Sequence, residues 1–106
     1  MLMPVDISMY EAARDAVAGI EWEPEQDRRY VCIKRCPAAK AHVLVARPRE
    51  AKPAKLPSSW PVLLYLDRER AGIIQAATLS GALGLGDAWM IDQLVAIQRR
   101  ELQPGG

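Results

Sequence analysis

The stretch Pro61–Leu102, PVLLYLD followed by RERAGIIQAATLSGAL and GLGDAWMIDQLVAIQRREL, decides the fold because most of the large apolar residues collect there. Val62, Leu63, Leu64 and Leu66 form an aliphatic run short enough for a strand and apolar on both faces, which predicts a central or well-covered strand over Pro61–Asp67. Asp67 and Asp87 stand where helix N-caps would, so the remainder reads as two helices, roughly 68–82 and 88–102, with a glycine-rich joint at Gly84 and Gly86. On the last helix Met90, Ile91, Leu94, Val95, Ile97 and Leu102 make one apolar arc, while Trp89 falls on the opposite side with Gln93, Ala96 and Arg100.

The preceding two thirds of the chain must cover this apolar stretch. Ser8 and Glu11 have capping-box spacing, and Met9, Ala12, Ala13, Ala16, Val17 and Ile20 share an arc, which predicts a helix over about 9–18 ending at Gly19. An acidic connector broken by Pro24 leads to a hairpin, Arg29–Arg35 and Ala41–Arg47, joined by CPAAK. With the turn centred on Ala38, Val31 faces Val45 and Ile33 faces Val43 on the core side, with Cys32 and Lys34 on the other. Pro48–Trp60 is a proline-rich connector without periodicity, and residues 103–106 form a tail. The expected architecture is one α+β domain spanning 1–106: an N-terminal helix, a three-stranded mainly antiparallel sheet and a C-terminal helical hairpin packed on it.

Composition bounds the function classes. The chain has 106 residues, half of them apolar and a quarter charged, with a formal net charge of +1. These are the values of an ordinary globular domain, without a global field for nucleic acid or membrane. No run reaches the ~18 apolar residues of a membrane span, and the start lacks a signal-peptide pattern. Two cysteines fit a reducing, cytoplasmic location.

The small net charge conceals a segregation. Residues 1–27 set seven carboxylates against Arg14 alone, whereas 28–55 set nine lysines and arginines against Glu50. Arg29, Arg35 and Arg47 are expected on one side of the hairpin, continued by Arg49, Lys52 and Lys55 along the connector. A basic ribbon with a basic arm suits phosphates or an acidic partner, and equally serves as a solvated sheet edge.

Catalytic and metal chemistry find little support. Cys32, Cys36 and His42 supply three ligands at C-x3-C-x5-H spacing with no fourth, and no orienting group for a Cys–His nucleophile is in view. The glycines from Gly81 to Gly86 follow a predicted helix rather than a strand, unlike a phosphate loop, and Asp87 would oppose an anion there. A helix-turn-helix reading places Asp87 and Asp92 where phosphates would lie. No catalytic residue, metal or cofactor is therefore assigned. The expectation is a non-enzymatic binding protein, an adaptor, inhibitor or regulator, that meets a protein partner or a second copy of itself through Trp89, Gln93 and Arg100. The alternative is a nucleic-acid binder using the basic hairpin and arm.

Overall fold

The architecture is α+β, with two helices on one face of a five-stranded antiparallel sheet among the described residues. A computed structural model describes residues 4–48 and 59–102. Most of the expected connector, including Arg49, Lys52 and Lys55, and the tail at 103–106 lie outside the described residues. The elements in chain order are α1 (Pro4–Ala18), β1 (Glu23–Pro24), β2 (Tyr30–Cys36), β3 (Ala41–Ala46), β4 (Trp60–Leu66), β5 (Glu69–Ala76) and α2 (Leu79–Leu102). A short 3-10 turn, Pro37–Ala39, joins β2 to β3. The strands lie side by side in sequence order, so each pairs with its neighbours along the chain.

Several sequence expectations need correction. The helix expected over 68–82 is instead strand β5 up to Ala76, and α2 then runs through the supposed glycine joint without a break. The sheet thus has five strands rather than three, and a single 24-residue helix replaces the helical hairpin. Asp67 does not cap a helix: Asp67 (φ 50°) and Arg68 (φ 71°) form the two-residue turn between β4 and β5, both in the left-handed region that such turns require. The cap of α2 is Thr78, whose Oγ1 accepts the Gly81 amide at 2.9 Å. At the other end of the chain α1 begins at Pro4, so Ser8 lies within the helix, which still ends before Gly19.

A further correction is the register of β2 on β3. Tyr30 pairs with Ala46 as expected, but a bulge at Val31 shifts every later pair, giving Cys32↔Val45, Ile33↔Leu44, Lys34↔Val43, Arg35↔His42 and Cys36↔Ala41. Lys40 closes the β2–β3 turn in a left-handed conformation at φ 51°. Because side chains alternate faces, this shift turns Cys32, Lys34 and Cys36 toward the helices and Ile33 away from them. The core under the helices is built from Cys32 and Cys36 of β2, Ala41, Val43 and Val45 of β3, and Val62 and Leu64 of β4. Ala13 and Val17 of α1 and Ala82, Met90, Ile91, Leu94 and Val95 of α2 close it from above. Of the arc read on the last helix, Met90, Ile91, Leu94 and Val95 are buried and Ile97 lies at the margin, while the Leu102 side chain is outside the described ones.

Candidate functional site

Both helices cover the same sheet face, and alternation along the strands sets the composition of the other. Register aligns two rows across it. One is Ile33, Leu44, Leu63 and Ile73; the other is Arg35, His42, Tyr65 and Arg70. Ile33 and Leu63 are buried within their row, Leu44 is half-buried, and Ile73 is 47% exposed at its β5 end. In the second row the His42 and Tyr65 rings stack with centroids 4.5 Å apart and planes within 4°. Arg35 reaches Glu23 at 3.3 Å, an exposed pair, while Arg70 has no carboxylate partner among the described residues. Burial, and secondarily the Arg35 charge, hold His42 below its ordinary pKa, so the ring is neutral at pH 7. What this face leaves accessible is the Ile73 end of the aliphatic strip and part of Leu44, beside an aromatic pair and a guanidinium. It suits an apolar segment carrying a carboxylate.

A second surface forms where β2 begins and β3 ends. The Arg47 amide donates to the Arg29 carbonyl at 2.9 Å, and Arg47 Nε donates to the Arg28 carbonyl at 3.1 Å. These bonds bring Arg28, Arg29 and Arg47 to one corner. Arg29 is committed locally: its guanidinium grips Asp27 with a shortest contact of 2.7 Å and lies 5.5 Å from the Tyr30 ring centroid. That grip holds the Asp27 carboxyl down at about 2. Arg28 and Arg47 are exposed and have no carboxylate partner among the described residues. Arg35, expected beside Arg29 and Arg47, sits at the far end of β2, next to the β2–β3 turn. The corner joins two of the three hairpin arginines named from the sequence, with Arg28 as the third member.

The stripe expected on α2 is partly taken up by folding. Trp89 is half-buried and packs against the core cluster, Gln93 is half-buried and Arg100 is exposed. Arg100 is therefore its accessible member.

The interior holds an unexpected charge. Lys34, with 2% of its side chain exposed, donates from Nζ to the Val17 carbonyl at 2.9 Å and to Asp87 Oδ1 at 2.8 Å. The same ammonium lies 5.3 Å from the Trp22 ring centroid. One cation thus ties the sheet to the end of α1 and to α2, with an aromatic face beside it. Asp87, read from the sequence as a cap, is the counter-ion within α2. The sequence clue was available in retrospect: Lys34 lies two residues from each of the two cysteines that line the core.

Cys32 and Cys36 are free thiols buried on the helix face, and burial raises the Cys32 pKa. His42 stands on the opposite face, so the three candidate ligands do not converge. Among the described residues no group of three metal-ligating side chains forms, and no helix is long and apolar enough to cross a membrane. Comparison with models of known protein families, with curated proteins and with solved structures finds no match to this chain.

Proposed function

We propose that this chain is a non-enzymatic protein-binding module, an adaptor, inhibitor or regulator, whose docking surface is the sheet face turned away from the helices. The observation that carries the reading is the pair of rows on that face, Ile33–Leu44–Leu63–Ile73 beside Arg35–His42–Tyr65–Arg70, which lies outside the core cluster under the helices and whose exposed members are Ile73, Arg35 and Arg70. Apolar area with an aromatic centre and an arginine at the rim is the usual make-up of an energetic hot spot. The occupant it favours is an apolar protein segment with an aspartate or glutamate placed to meet Arg70. Trp89, Gln93 and Arg100 remain a second contact on α2, with Arg100 its accessible member.

The test is chemical cross-linking of partners captured from a lysate, with cross-linked peptides assigned by mass spectrometry. The reading expects cross-links on β4 and β5, and at least tenfold weaker capture by a Tyr65→Ala/Arg70→Glu variant of unchanged circular dichroism. Cross-links confined to α2, with full capture by that variant, would move the docking surface to the Trp89 stripe.

A nucleic-acid reading is favoured by one separate observation, the corner formed by Arg28, Arg29 and Arg47 at the end of β3. It predicts binding to random duplex that falls steeply with salt, the slope counting the phosphates contacted. An Arg28→Glu/Arg47→Glu variant that binds as well as the parent at low salt would remove it.

A further inference from the structure

Among the described residues strand β5 is an edge, since the sheet order ends with it. Which of its backbone groups face outward follows from the ladder. The Asp67 amide donates to the Lys40 carbonyl of the β3 side at 2.8 Å, so along β4 the odd-numbered residues direct their amides and carbonyls to β3 and the even-numbered ones to β5. Val62 and Leu64 are thus hydrogen-bonded to their partners Ile74 and Gly72. Ile73 and Gln75, opposite Leu63 and Pro61, must then point their own amides and carbonyls away from the sheet. Pro61 fits this phase, because its missing amide would have faced β3, and the β3–β4 ladder ends one residue earlier at Val62.

Sheet edges are usually blunted by charge, proline or a bulge. β5 has such protection only near its turn, where Glu69 and Arg70 are charged and Ala71 is the extra residue of a bulge. Beyond it, Gly72–Ile73–Ile74–Gln75–Ala76 is regular, without charge or proline, and Ile73 is 47% exposed. Two amide–carbonyl sets without a partner among the described residues, on an apolar, uncharged strand, form a template for another strand.

We infer that β5 pairs with β5 of a second copy, antiparallel about a two-fold axis at Ile74, so that two sheets join into one of ten strands. In this register Ile73 of each copy exchanges both backbone hydrogen bonds with Gln75 of the other, satisfying all four outward groups on each strand. Gly72 falls opposite Ala76, and Ile74 meets its own copy. The bare segment is matched against itself from end to end, with no charge opposed to a like charge. A closed two-fold contact of this kind stops at two copies. The inference does not rest on the docking surface proposed above: the two share Ile73, but the edge uses its outward backbone groups and the face its side chain.

The experiment is light-scattering mass across a concentration series, with amide hydrogen exchange measured on the same samples. A mass that rises to twice that of the chain, with the Ile73 and Gln75 amides at least tenfold better protected at the high end, is the expected result. Gln75→Pro removes an outward amide that the edge does not need within the monomer, and Ile73→Lys adds a gatekeeping charge at an exposed position. Both variants are expected to remain folded and monomeric. A monomer mass throughout, with Ile73 and Gln75 exchanging freely at every concentration, would overturn the inference. So would a dimer that both variants leave intact, since it would use another surface.

Discussion

At the residue scale the most consequential side chain is Lys34. Its strand neighbours Cys32 and Cys36 are small core residues, so the alternation that buries them also buries an ammonium. A buried cation without a partner is severely unfavourable, whereas the same cation with a carboxylate and a carbonyl is tolerated. The two partners are therefore not equivalent under mutation. Asp87→Asn leaves Lys34 buried beside a neutral amide and is expected to cost about 3 kcal/mol in urea unfolding, the lower end for broken buried pairs because Asp87 is itself partly solvated. Lys34→Met removes the charge and keeps the length, and should cost distinctly less. Equal losses for the two variants would mean that the pair acts through packing alone.

His42 gives a second prediction at this scale. Its pKa is lowered first by burial and then by Arg35, so Arg35→Ala should raise its NMR titration midpoint while leaving it below the ordinary 6.5. A group whose folded pKa lies below its unfolded one contributes stability that is complete above 6.5 and is lost as the pH falls through that value to the folded one. The parent should therefore show a small decline in unfolding midpoint below pH 6.5, and His42→Gln should flatten it.

At the element scale the sequence was legible where periodicity was strong and misleading where geometry was carried by unusual residues. The apolar arc of α2, strand β4 and the end of α1 before Gly19 could be read directly, because aliphatic spacing and chain punctuation agree there. The β4–β5 hairpin could not. Its turn is Asp67-Arg68, with left-handed backbone at both positions and neither glycine nor asparagine to announce it. Asp67, read as a helix N-cap, then turned the residues of β5 into a helix. Replacing the pair with Asn-Gly should stabilise the protein by about 1 kcal/mol, because the left-handed conformation then carries less strain. In a helix the same glycine would destabilise, so the sign of the change in urea midpoint checks the assignment of β5.

The glycines of α2 misled in a different way, since the helix runs through them without a joint and Gly86 serves close packing. A Cβ on Gly86 would stand 2.9 Å from Trp22 Cη2 and 3.0 Å from Val43 Cγ1, whereas one on Gly84 would meet nothing within 4 Å. Both changes to alanine gain helix propensity worth up to ~1 kcal/mol. Gly84→Ala should realise that gain as a higher melting temperature. Gly86→Ala should lose more than it gains, by about 1–3 kcal/mol of overpacking against the Trp22 ring and the β3 side chain.

At the scale of the whole molecule, the two faces of the sheet carry different duties, and the register decides which residues perform each. A one-residue shift at Val31 moved Ile33 from the expected core to the opposite face and Lys34 from the surface to the interior. The aliphatic row was invisible in the sequence for that reason, whereas the charge segregation was visible but resolved into separate pieces, the arginine corner and Arg35. The helices on the covered face are held unequally. α2 packs along β3, β4 and β5, whereas α1 packs mainly on α2 and is tied to the sheet by the Lys34 bond to the Val17 carbonyl. Local opening follows such differences, with elements of few buried contacts released before the global transition. α1 buries only Ala13 and Val17 among its described side chains. Its amides should exchange through an opening of lower free energy than those of β3 and β4, and Lys34→Met should speed α1 exchange at least tenfold while changing the central strands less. If α1 and β4 exchanged with one common free energy in both proteins, the helix would be an integral part of a single cooperative unit, and the Lys34 bond would add nothing specific to its attachment.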